Sequence, residues 1–320
     1  MTRVLLRCLV SLALIRVILY LVPLSAILSS LQEASLPIVM VTLCLTTGMI
    51  FIGGLYASTL ARIQGQVISA GRFAHISFTT TFYGLFLPGA ISGGLIRWQK
   101  LNQVHDDKAR NATNIAMGRL ISLLVASLLG IACWALDRQA GIREGLFLIG
   151  AVAGLSFLYI LVMHSPLSGW LERQLEDSLS RWPKAHAALL RILRSFSELY
   201  RTPGYELLRL MAISVAYHLC GVLAFFLFSS ALGLGVDPFA LGWIRSYVLI
   251  ATLLPISFAG IGVREGLLTL LLPAYGVAPS GAVALGLLLL LRNLSNALIG
   301  AVLEADSTLN RRSPRTTMPQ

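Results

Sequence analysis

Residues 254–264 read Leu254-Pro255-Ile256-Ser257-Phe258-Ala259-Gly260-Ile261-Gly262-Val263-Arg264, in the middle of an apolar run from about Leu241 to Tyr275. Proline lacks the N–H that a helix interior requires and glycine weakens the helix further, so this run cannot be one uninterrupted helix. A second apolar run, about Val67–Ile96, carries the same kind of interruption at Leu87-Pro88-Gly89-Ala90-Ile91-Ser92-Gly93-Gly94, before Leu95, Ile96 and Arg97. The two breaks align. Each opens on Leu-Pro and holds a serine with a pair or near-pair of glycines (Gly93 and Gly94; Gly260 and Gly262). In each the proline stands nine residues before an arginine, and a later arginine follows, Arg119 in one half and Arg292 in the other.

The surroundings of these breaks decide the fold class. The chain of 320 residues is 56% hydrophobic and 12% charged, with a mean hydropathy of +0.79. Soluble domains carry about 25% charged residues, so this chain cannot cover a water-exposed surface and a soluble enzyme is excluded. Six stretches reach the roughly 20 apolar residues of a spanning helix: Val4–Leu31, Leu36–Leu60, Ala112–Leu136, Gly145–Met163, Glu206–Leu232 and Gly281–Leu303. Non-helical backbone at membrane depth is tolerated only where protein buries it or it lines a wet cavity. The expected architecture is therefore an all-α polytopic membrane bundle of about six full spans, with two re-entrant broken helical hairpins in an inverted repeat. It forms a single transmembrane domain over 1–320, with repeat-like halves at about 4–163 and 205–303.

Orientation follows from charge. The net charge is +11, which in an apolar chain reads as membrane topology before nucleic-acid binding. Arg3 and Arg7, then Lys100, Lys108 and Arg110, then Arg173, Arg181, Lys184, Arg191, Arg194 and Arg201, and finally Arg311, Arg312 and Arg315 gather in connections on one side. The connections near Gln32, Asp137 and Asp237 carry little excess positive charge. A multi-pass inner-membrane protein with both termini cytoplasmic is expected, so the two hairpins approach from opposite faces. Arg3 and Arg7 before an apolar run resemble a signal peptide, but the run is too long for one and a retained first span is expected. Residues 165–204 hold Trp170, Leu171, Leu175, Leu179, Trp182, Leu189 and Leu193 at near-helical spacing. They read as a basic amphipathic cytoplasmic loop at the membrane surface, or as a connector packed on the bundle. Residues 304–320 read as a polar tail.

An arginine inside a span costs about 2.5–3.5 kcal/mol on insertion scales, so it normally faces a partner or a cavity. Helix N-termini at breaks offer free N–H groups, glycine permits close backbone approach, and the planar guanidinium grips two phosphate oxygens at once. Breaks at corresponding places in two halves point to a transporter-type site, here an anion site built from Arg97, Arg264, Gly93, Gly94, Ser257, Gly260, Gly262, Arg119 and Arg292, with Glu265 beside it. Other readings stay open at single positions. Arg97 could snorkel at its segment's cytoplasmic end, and Arg264 could be neutralised by Glu265. Asn293, Ser295 and Asn296 could solvate Arg292, and His75 and His218 read as satisfied core histidines. Cys8, Cys44, Cys133 and Cys220 stand alone without metal-binding spacing and read as small core residues. No HExxH, GxSxG or GxxxxGK[ST] occurs and no paired carboxylates stand in the apolar segments, so no enzyme activity, cofactor or metal is expected.

The stretch Leu254 to Gly266 with the later Arg292 resembles the signature of the lysylphosphatidylglycerol synthase transmembrane-region family, the flippase-like integral membrane proteins. Residues Leu87 to Arg97 resemble the family's other motif, and Arg119 lies where a further family arginine is expected. The resemblance runs from about Val4 to Leu303. Members often place an aspartate after the glycine pair and another before the later arginine; here these positions are Leu95 and Gly118. The resemblance implies the translocating half without the soluble aminoacyl-transferring domain. The expected activity is a lipid flippase moving an anionic phospholipid or a polyprenyl-phosphate-linked substrate between leaflets, with no nucleic acid involved. One rival is a non-transporting accessory subunit for a glycosyltransferase or lipid-modifying enzyme; a membrane enzyme acting on lipid phosphates is the other.

Overall fold

A computed structural model describes residues 16, 20, 22–86, 90–163, 202–252 and 262–312. Most of the expected first span, nearly all of the basic loop at 165–204, Pro88, Ser257, Gly260 and the end of the tail lie outside the described residues. The described residues form helices and no strand: α1 (Leu24–Gln32), α2 (Leu36–Ile63), α3 (Ala70–Phe86), α4 (Ala90–Asn102), α5 (Lys108–Leu136), α6 (Ile142–Met163), α7 (Gly204–Ala231), α8 (Pro238–Ala251), α9 (Val263–Leu271) with a 3₁₀ turn at Leu272–Tyr275, and α10 (Pro279–Arg312). Five of these, α2, α5, α6, α7 and α10, are long and apolar enough to cross a membrane. They coincide with five of the six expected spans; the sixth falls mainly on residues outside the description. The last helix runs past the expected boundary at Leu303, through Arg312.

Local chemistry explains the boundaries. Pro37 sits in the first turn of α2 and Pro238 opens α8, where a missing N–H costs nothing. Asp107 and Asp237 cap α5 and α8, accepting from Arg110 N and Phe239 N. Gly262 stands before α9 at φ +86°, a left-handed conformation that favours glycine. Glu265 Oε2 accepts from the Gly262 N–H at 2.7 Å, the return half of a capping box whose forward half glycine cannot make.

Two helical hairpins are anchored at opposite ends of α5. At its N-terminal end, Gln66, just before α3, donates to Asn111 at 3.1 Å, and Asn111 donates to the His105 carbonyl, just after α4, at 2.8 Å. The chain therefore goes into the α3–α4 pair and comes out of it at the same end. At the other end of α5, the Asp137 carboxylate accepts from Trp243 Nε1, early in α8, at 2.8 Å and from the Tyr275 hydroxyl, just after α9. The α8–α9 pair thus begins and finishes at the end opposite to α3–α4.

The first hairpin is gripped by neighbouring backbones. A Cβ at Gly54 of α2 would lie 2.5 Å from the Ala70 carbonyl oxygen, and one at Gly300 of α10 would lie 2.1 Å from that of Phe78. Two missing side chains thus let α2 and α10 close on α3. Lys100 of α4 pairs with Glu304 of α10 at 2.6 Å, and Tyr83 of α3 donates to the same carboxylate at 3.0 Å. The apolar core is divided. One cluster around Trp243, Phe228, Leu268 and Leu285 surrounds the second hairpin. Smaller clusters around Leu60, Met117 and Leu210, and around Phe73, Ile76 and Leu101, lie toward the first. Phe157, Leu208, Leu298 and Val302 face outward and exposed. Cys133 is buried as expected, Cys220 half-buried, and Cys44 exposed rather than in the core.

Candidate anion-binding site

Between the two ends of the bundle lie two cavities of about 380 and 350 Å³. The first is lined by α2 (Gly53, Tyr56), α4 (Gly93, Gly94, Arg97), α5 (Asn114, Gly118, Arg119, Ser122) and α7 (Ser214, Tyr217). The second is lined by Met49 of α2, Arg119 and Ser122 of α5, Tyr217 and His218 of α7, Arg245 and Thr252 of α8 and its end, Arg264 of α9, and Arg292 and Asn293 of α10. Arg119, Ser122 and Tyr217 belong to both. Along α5 and α7 the first cavity uses residues nearer the helix start and the second residues nearer the helix finish. Along the antiparallel α2 the order reverses. The cavities are therefore stacked along the bundle axis. Ser122 has fourteen residues of α5 on either side of it, so the cavities meet at mid-helix.

No carboxylate lines either cavity among the described residues, whereas arginines line both. Arg97 turns its guanidinium over the Phe73 ring at 6.0 Å, and its Nε is buried with no hydrogen-bonding partner among the described residues. It faces the first cavity with Gly93 and Gly94, a different placement from snorkelling at a helix end. Arg119 has no ion-pair partner among the described residues and sits where the cavities join. Arg292 donates to Asn293 Oδ1 at 3.1 Å, so a neutral amide solvates it, one of the roles open for this polar stretch. Arg264 reaches Glu265 through Nη2 at 2.5 Å and Nε at 2.9 Å. Glu265 in turn is buried where Gly286 of α10 leaves room: a Cβ there would stand 2.9 Å from Glu265 Cγ. Glu265 therefore neutralises Arg264 and holds the start of α9, standing behind the cavity wall. Gly262 is part of that same start, while Ser257 and Gly260 lie outside the described residues.

Sequence reasoning missed Arg245. It is buried in α8 and lies beside Gly221 of α7, where a Cβ would be 2.3 Å from its Nη2. Its Nη1 and Nη2 each lie 3.4 Å from His218 Nδ1, and His218 Nε2 lies 2.9 Å from Ser122 Oγ. The signal was present in the sequence, since a charge in an apolar segment marks a functional position by default. It was overlooked because Arg245 precedes the Pro255 break instead of following it. Tyr217, which lines both cavities, carries no such signal.

The profile of the lysylphosphatidylglycerol synthase TM region matches residues 4–300. The chain belongs to this family. No curated protein matches it. As a member of the lysylphosphatidylglycerol synthase TM region family, with five apolar helices of spanning length, it is a multi-pass membrane protein. The departures from the family pattern have a physical correlate in the site. Gly118 lines the first cavity with no side chain, its carbonyl taking the Tyr56 hydroxyl at 2.9 Å, and Leu95 is half exposed. This member's first cavity is cationic and without a carboxylate among the described residues.

Proposed function

We propose that the protein moves the head of an anionic phospholipid or polyprenyl-phosphate-linked lipid between leaflets, without a chemical step. The observation that carries this reading is the stacking of two cavities at mid-helix, with arginines around both, no carboxylate in either lining among the described residues, and Glu265 paired to Arg264. A cation at membrane depth without a counter-charge is costly, and an anion in the cavity relieves that cost. On this reading α3–α4 and α8–α9 are re-entrant hairpins from opposite faces, and the first cavity serves the cytoplasmic leaflet of the inner membrane. Arg62, Lys108, Arg110 and Arg209, at or near the corresponding helix ends, favour that orientation, with both termini cytoplasmic. Arg97 with Gly93 and Gly94 receives the headgroup. Arg119 passes it on, and Arg292 holds it in the second cavity together with Arg264.

The test uses one arginine from each cavity. Arg264 is a poor choice, because its removal leaves Glu265 unpaired in a buried setting. Protein carrying Arg97→Ala with Arg292→Ala, reconstituted in liposomes with fluorescent phosphatidylglycerol, is expected to flip lipid at the protein-free rate in a dithionite-bleaching assay. Flipping at the parental rate would overturn the anion site. A parent that flips no anionic lipid would favour the accessory-subunit reading, in which the basic loop docks a lipid-modifying enzyme or glycosyltransferase.

A further inference from the structure

Ser122 occupies the wall common to both cavities, and its hydrogen-bonding surroundings fix what its hydroxyl can do. Its Oγ lies 2.9 Å from Nε2 of the buried His218, whose Nδ1 lies 3.4 Å from both Nη1 and Nη2 of Arg245. A guanidinium has donors only. Nδ1 must therefore be the lone-pair nitrogen, and the neutral ring carries its hydrogen on Nε2. That N–H donates to Ser122 Oγ, which leaves the serine's own hydrogen for another acceptor. Helical serines commonly give that hydrogen to the carbonyl four residues back, as Ser127 does on the same helix at 2.8 Å to Leu123. For Ser122 that carbonyl belongs to Gly118, and it already accepts the Tyr56 hydroxyl at 2.9 Å. The same polarity argues against a nucleophilic serine, whose histidine must accept from the hydroxyl.

We propose that Ser122 is the hydroxyl donor that receives a phosphate oxygen as the group passes between the two cavities. Arg119, three residues earlier on the same helix face, supplies the charge. His218 and Arg245, which also line the second cavity, are positioning residues for this hydroxyl: they aim it toward the junction. This rests on the anion reading of the cavities and assigns the donor at their junction. A phosphate ester in a lipid head and a free phosphate ion share the recognised chemistry.

Equilibrium binding to the purified full chain in detergent tests this apart from transport, with dihexanoyl phosphatidylglycerol and inorganic phosphate as probes. Ser122→Ala is expected to weaken lipid binding about tenfold, the size of one hydrogen bond to a charged group. Ser122→Cys, similar in size with a weak donor, loses a similar factor, and Ser122→Thr keeps most of the affinity. His218→Leu weakens binding about as much as Ser122→Ala, and the double variant binds no more weakly than Ser122→Ala alone. A merely structural histidine would add its own loss. A parent that binds neither probe would sink the anion reading itself. Parental binding retained within twofold by both Ser122→Ala and Ser122→Cys would overturn the donor role and leave the anion reading intact. Inorganic phosphate binding as tightly as the lipid would uphold Ser122 and overturn the lipid as source.

Discussion

Gly221 shows how one absent side chain can place a charge. The Arg245 guanidinium runs across the face of α7 only because that position has no Cβ; an added methyl would stand 2.3 Å from Nη2 and 2.5 Å from Cζ. These are the outer atoms of a flexible side chain, so Gly221→Ala is expected to fold normally with Arg245 pushed from His218. Lipid flipping should fall about tenfold, comparable with one charge-assisted hydrogen bond, while thermal unfolding in detergent stays near the parental value. Parental flipping by this variant would show that Arg245 needs no fixed place. At this scale the sequence was uneven. Arg97, Arg264 and Arg292 are legible because each stands beside a break or deep in a span, and the structure brings each to a cavity wall. Glu265 was legible as a neighbour of Arg264, but its second bond, to the Gly262 N–H, depends on the left-handed turn and on the space at Gly286. Arg245, Ser122 and Tyr217 come together from three helices far apart in the chain, and no local pattern encodes that meeting.

Among elements, α3 is the hairpin arm that two neighbouring backbones approach most closely through glycines. Gly54 and Gly300 bring the backbones of α2 and α10 against it, and the obstacles to a larger side chain are carbonyl oxygens that cannot swing away. Gly300→Ala is therefore expected to cost about 1–3 kcal/mol, read as a lower unfolding temperature, with no loss for Gly150→Ala, whose added methyl meets nothing nearby. Equal stability of the two variants would contradict the close approach. The helices themselves were largely legible. Five spans and both breaks follow from apolar length and from the Pro-Gly-rich stretches, because hydrophobic length and helix breakers are local properties. Which end of α5 each hairpin uses was reached only through the distribution of Lys and Arg. The hydrogen bonds of Asn111 and Asp137 now give it a direct geometric form.

For the whole molecule, cysteines placed at Ala278 and Ser307 after removal of the native ones should be labelled from opposite faces, since α10 separates them. Labelling from one face only would break the proposed orientation. The stacking of the cavities has a further consequence. The arginines are fixed to the scaffold, so a singly charged head carried past them from one leaflet to the other takes its charge across the whole electric field of the membrane. A potential of 100 mV is worth about 2.3 kcal/mol per charge. An interior-negative potential, imposed on liposomes with potassium and valinomycin, should speed outward movement of the anionic head and slow its return, while a potential-independent rate would mean that a counter-ion travels with it. The resting voltage of the cell would then be a driving force that requires neither nucleotide nor coupled carboxylate.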